Sequence, residues 1–122
     1  MPSFGRRPLN SLPEVAVLDS SASWASFKSA GGPFVLFKFS PRCPVSFAAE
    51  EEYDAWLAGL PQKPAFRIAR IDVVHQRELS RAIAAETGVR HESPQVIWFG
   101  PDGKVVSHAS HGEITAEELR SV

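Results

Sequence analysis

At 122 residues, 43% of them hydrophobic and 22% charged, the chain fits one globular domain with one core and leaves no room for a second. A formal net charge of −1 argues against general attraction to nucleic acid or to an anionic membrane, and no run approaches the ~18 apolar residues of a membrane span. A single cysteine excludes an internal disulfide framework and any zinc site built on several thiolates, and a reducing, intracellular compartment is the simplest fit.

Residues 1–11 carry Pro, Gly, Arg and Ser without periodicity and read as an N-terminal arm, with 12–122 as the domain. Arg6-Arg7 suggests twin-arginine export, but no apolar core of a signal peptide follows it, so a cytoplasmic location is expected. Val15 to Leu18 predicts a short strand. A helix with Trp24 and Phe27 on one face follows, capped within Asp19 to Ser23 and stopped by Gly31-Gly32.

Phe34-Val35-Leu36-Phe37-Lys38-Phe39 is too densely apolar for one-faced alternation and predicts a strand covered on both sides. Ser40-Pro41 breaks it. Pro44 suits the first residue of a helix, because its missing N–H would have had no partner there. In that helix Val45, Ala49, Tyr53 and Trp56-Leu57 fall near helical spacing, and Gly59-Leu60-Pro61 ends the run. Phe66 to Val73 alternates like a strand with one strongly buried face, and Leu79, Ala82, Ile83 and Glu86 mark a helix closed by Gly88. The loop His91-Glu92-Ser93-Pro94 leads into a strand over Gln95 to Phe99. Gly100-Pro101-Asp102-Gly103 then turns the chain into a hairpin arm over Lys104 to His108, and Thr115-Ala116-Glu117-Glu118 reads as a capping box for a short last helix. The order is β-α-β-α-β-α-β-β-α, an α/β pattern with a central sheet flanked by helices.

The chain's only thiol, Cys43, falls between the central strand and the helix begun by Pro44. A lone cysteine is most often a small buried hydrophobe. Here the flanks Ser-Pro-Arg and Pro predict a helix N-cap, where unpaired N–H groups and the positive dipole end favour thiolate, and Arg42 adds to the effect. Without a second cysteine, a Cys43 thiolate that attacks a disulfide must leave a mixed disulfide for an outside thiol to clear. Ser46 stands three residues on; its hydroxyl is either a hydrogen-bond donor to the sulfur or an ordinary first-turn serine.

Other candidates have plainer readings. Glu50, Glu51, Glu52 and Asp54 read mostly as the solvated side of their helix. His91, His108 and His111 lack a recognised ligand pattern and read as surface residues, so no metal is expected. Trp24, Trp56 and Trp98 lie in apolar patterns and, with no basic stripe, argue for core rather than nucleic-acid stacking.

Cys43-Pro44-Val45-Ser46, then Gly88 to Gln95 with its His-Glu-Ser-Pro-Gln segment, then Ser110-His111-Gly112-Glu113-Ile114-Thr115 resemble the monothiol bacilliredoxin family from about Leu12 to the end. Two positions depart from it: Arg42 where family members usually have Thr, and Gly112 where a Trp is common. The resemblance implies a thioredoxin-like fold in which the nucleophilic cysteine follows the second strand and a cis proline, here Pro94, lies beside it. It implies a cytoplasmic enzyme with no bound cofactor that uses bacillithiol as co-substrate and acts on S-bacillithiolated proteins. In that reading Cys43, Ser46 and Pro94 are catalytic, and Arg42, Pro44, His91 and Ser93 contact substrate. His91 would add a cation near the sulfur. The rival from another class is a non-enzymatic adaptor of the same fold, binding a partner segment near Pro94. An iron–sulfur-carrying monothiol glutaredoxin would normally show Cys-Gly-Phe-Ser, and Pro44 departs from that.

Overall fold

The computed structural model describes residues 12–41 and 44–121. Its elements are β1 (Val15–Val17), α1 (Ser21–Ser29), β2 (Phe34–Phe39), α2 (Pro44–Ala58), β3 (Arg67–Asp72), α3 (Arg77–Thr87), β4 (Gln95–Phe99), β5 (Val105–Ser110) and α4 (Ala116–Arg120). A 3-10 turn over His111–Glu113, not foreseen from sequence, precedes α4. The five strands form one sheet in the order β1-β3-β2-β4-β5, with β3 parallel to both β1 and β2, and β4 antiparallel to β2 and β5. This is the mixed α/β sheet with flanking helices that the pattern predicts.

The density of apolar residues in β2 is explained by its central place: Phe34 to Lys38 are all buried between two packed layers. On one face Phe34, Leu36, Ile71 and Ile97 meet Trp24 of α1 and Leu79 and Ile83 of α3. On the other, Val35, Phe37, Ile68 and Trp98 meet Ala49, Tyr53 and Trp56 of α2 and Leu119 of α4. All three tryptophans are core residues. Tyr53 stacks on Phe37 at 4.3 Å and Phe34 on Phe99 at 4.4 Å, within the range where offset rings attract.

Three local expectations need correction. β3 buries side chains on both faces, because a strand between β1 and β2 is covered on both sides: Ile68 faces α2 while Ala69 and Ile71 face α3. In α2 the buried stripe is Ser46, Ala49, Tyr53 and Trp56, and Val45 points outward at 47% exposure. Of the acidic residues of α2, Glu51 and Asp54 are exposed, while Glu50 pairs with Arg70 of β3 at 2.6 Å and Glu52 accepts the Ala116 N–H at 2.8 Å. At the start of α4 the Thr115 hydroxyl accepts the Glu118 N–H. The reciprocal capping box occurs one turn earlier, between Ser110 and Glu113.

Candidate active site

The end of β2, the first turn of α2 and the loop before β4 meet at one end of the sheet. β2 stops at Phe39, and α2 begins at Pro44 as its position before a helical run predicts. Arg42 and Cys43, between them, lie outside the described residues, so their roles rest on the sequence. Cys43 is peptide-bonded to the first residue of a 15-residue helix.

Ser46 closes this segment. It is fully buried, and its hydroxyl accepts the Ser40 N–H at 2.8 Å, tying the strand end to the helix start. This tie is an ordinary structural use of a first-turn serine.

The Ser93–Pro94 peptide bond is cis. Gln95, the next residue, is the register partner of Lys38 near the end of β2, so Pro94 stands beside the strand that leads to Cys43. The Pro94 carbonyl accepts the His111 N–H at 3.0 Å, fastening the loop to the 3-10 turn. The Ser93 hydroxyl oxygen is buried without a hydrogen-bond partner.

His91 lies on the same loop, with Nδ1 3.0 Å from the Ser80 hydroxyl of α3. Burial, followed by the positive charges of Lys38 and Arg81, holds it below the ordinary imidazole range, with Glu92 opposing. His91 is therefore neutral at pH 7, and the expectation that it supplies a cation is not met. Lys38, the polar residue of an otherwise apolar strand, is with Arg81 a cation acting on this loop. Lys38 is 0% exposed, its Nζ has no hydrogen-bond partner among the described residues, and burial pushes it down to about 8. A lysine inside a run predicted to be covered on both faces was the signal that could have found it.

Toward solvent, an open groove of about 340 Å³ runs between the first turns of α2 and the 3-10 turn, lined by Val45, Ala48, Ala49, His111, Gly112 and Ile114. A Cβ at Gly112 would meet nothing within 4 Å, so the groove is open where the family commonly has a large side chain. Phe47, one turn into α2, is 66% exposed. His111 Nδ1 lies 3.4 Å from a Glu92 carboxylate oxygen. Among the described residues no group of three or more His, Cys, Asp or Glu side chains is placed to hold a metal. Among them, too, no helix is long and apolar enough to cross a membrane.

The family model for monothiol bacilliredoxin BrxC matches residues 16–119 of the chain. Among solved structures, a candidate oxidoreductase with a thioredoxin fold is 27% identical, covering 88% of this chain and 91% of its own at a TM-score of 0.76. A single-site mutant of thioredoxin from Halobacterium salinarum NRC-1 is 19% identical, covering 91% and 88% at a TM-score of 0.66. Thioredoxin from Fasciola hepatica is 23% identical, covering 87% and 93% at a TM-score of 0.64. The last two show the fold alone.

Proposed function

Because the chain belongs to the monothiol bacilliredoxin family, we propose that it removes bacillithiol from mixed disulfides on other proteins, with Cys43 as the nucleophile. The Cys43 thiolate attacks the bacillithiol sulfur of the mixed disulfide. A Cys43–bacillithiol disulfide forms, the substrate disulfide breaks, and the substrate cysteine leaves as a thiolate that takes a proton from solvent. A second bacillithiol thiolate then attacks the adduct, regenerating Cys43 and leaving as bacillithiol disulfide. The two electrons that reduce the substrate protein thus come from two molecules of the small thiol, one delivered with the substrate and one added.

The observation that carries this reading is the placement of the chain's lone thiol, covalently next to the first residue of α2, with Ser46 where a dithiol relative would carry a second cysteine. Helix N-termini favour thiolate through their free N–H groups and dipole. Arg42 and Pro44 contribute to the approach to the sulfur, and Ser93 and Pro94 present an extended substrate backbone. His91, neutral, lines the same loop and offers a hydrogen-bonding edge. The reaction needs no bound cofactor, and its setting is the cytoplasm.

The test is to incubate the protein with a protein carrying a bacillithiol mixed disulfide, and in parallel with the glutathione equivalent, and to read intact masses. A bacillithiol adduct on wild type, absent in Cys43→Ser, supports the reading. An adduct with glutathione alone would move the specificity to another small thiol. No adduct with either, while partner proteins still bind, would leave the adaptor in its place.

A further inference from the structure

At the end of the sheet away from the start of α2, where β3 begins beside the first residue of β2, lies a cavity of about 670 Å³. Its walls include Pro13, Ala16, Phe27 and Phe66, and Lys63 and Arg67 bring two cations to it against one carboxylate, Glu14. That volume falls in the range of small-molecule sites, which are largely apolar enclosures carrying a few polar groups.

Arg67 is half-buried and lines this cavity, so a ligand there lies beside it. Its guanidinium sits over the Phe27 ring at 4.1 Å and its Nε donates to the Gly31 carbonyl at 3.1 Å, while its Nη2 is buried without a hydrogen-bond partner among the described residues. The stacked ring attracts the charge but offers no acceptor in the guanidinium plane. An arginine does not shed its proton to escape this, so the unmet N–H groups remain a cost that an in-plane acceptor removes. A carboxylate matches the need, since its two oxygens lie flat and meet guanidinium N–H groups in pairs. Glu14 does not serve: among the described residues no ion pair joins it to Arg67 or to Lys63.

We propose that this cavity binds a small aromatic carboxylate, its anionic end held by Arg67 with Lys63 and its ring set against Phe27 and Phe66. Two phenyl rings in the wall suit a flat apolar body, which gains both from leaving water and from ring contact. Glu14, the one carboxylate of the lining, selects against ligands that carry a second negative charge. The site goes beyond the proposed redox function and does not rest on it. Arg67 is the register partner of Phe34, the first residue of β2, whereas the chain leaves for Pro44 after Phe39 at the other end of that strand.

The experiment titrates phenylacetate into the isotope-labelled full-length protein and follows backbone amide resonances by NMR. Saturable shifts are expected at Ala16, Arg67 and Ile68. Phenylacetamide, with the same body and no charge, and acetate, with the charge and no body, should each bind at least about tenfold more weakly. Lys63→Met, an exposed substitution that leaves the core alone, should weaken phenylacetate about threefold. Arg67→Lys, which keeps the charge and loses the fork, should weaken it about tenfold, and Glu14→Gln should tighten it about twofold. The same titration of Cys43→Ser should match wild type, so the result stands apart from the redox reaction. No saturable shift, shifts confined to residues outside the cavity, or equal binding of phenylacetamide and phenylacetate would overturn the proposal.

Discussion

The Ser40 amide donates to the Ser46 hydroxyl at 2.8 Å, and this bond ties together the two sides of the four-residue span, 40–43, between β2 and α2. Removing the acceptor with Ser46→Ala should cost about 1 kcal/mol, read as a lower midpoint in urea, with the fold intact. A loss well above that would mean that Ser46 carries more than this tie.

Ser46→Cys tests the spacing itself. A thiol at residue 46 should attack the Cys43 adduct, closing an internal disulfide and releasing the small thiol without a second molecule. Intact mass should show a loss of two hydrogens in place of the adduct. If the variant accumulated the adduct as wild type does, residues 43 and 46 would not be placed as in a dithiol redox helix.

Lys38 makes stability depend on pH in a direction that can be worked out. Folded, it loses its proton near 8; unfolded, near its ordinary 10.5. Between those values the unfolded chain binds more protons, so stability rises with pH across the window and the full cost of the buried charge is present below it. Lys38→Met should lack this rise and melt about 5 °C higher than wild type at pH 7, the two curves converging toward pH 10. Melting curves that stay parallel from pH 7 to 10 would show that Lys38 is not a buried charge.

Tyr53 supplies the contrast. It too is fully buried, with a hydroxyl that finds no partner, and burial raises its ionisation well above the ordinary phenol range. Tyr53→Phe keeps the ring stacked on Phe37 and should stabilise the protein by up to about 1 kcal/mol while leaving Cys43 alkylation unchanged.

Phe47, exposed one turn from Pro44, stands on the helix whose first turns line the groove. An exposed aromatic four residues along the chain from the proposed nucleophile suits contact with a protein substrate rather than with a small one. Phe47→Ser should slow reaction with a protein mixed disulfide about fivefold and leave reaction with a small disulfide unchanged. Equal slowing of both would place its effect on the thiol and not on docking.

The fold was largely legible because its signals are local. The apolar block of Phe34 to Phe39, the proline that opens α2 and the glycine at φ +75 that closes α3 each state their own conformation. The faces of β3 and the phase of α2 were not legible in the same way. Whether Ile68 or Ala69 counts as inside depends on which strands flank β3, and Ser46 is buried because Ser40 needs its hydroxyl, a tertiary fact. At the site, Pro94 and His91 were found by position in the order of elements. The protonation of His91 is not legible in the sequence because burial, Lys38 and Arg81 set it, and the Lys38 side chain gains meaning only from the layer that covers it.

The most direct test of the account is a single-turnover reaction between the protein and a bacillithiol mixed disulfide, quenched in acid and weighed intact. The account predicts that released substrate thiol and a Cys43–bacillithiol adduct appear together in equal amounts, that the adduct persists until free bacillithiol is added, and that Cys43→Ser yields neither. Substrate thiol released without a Cys43 adduct, or released equally by Cys43→Ser, would contradict it.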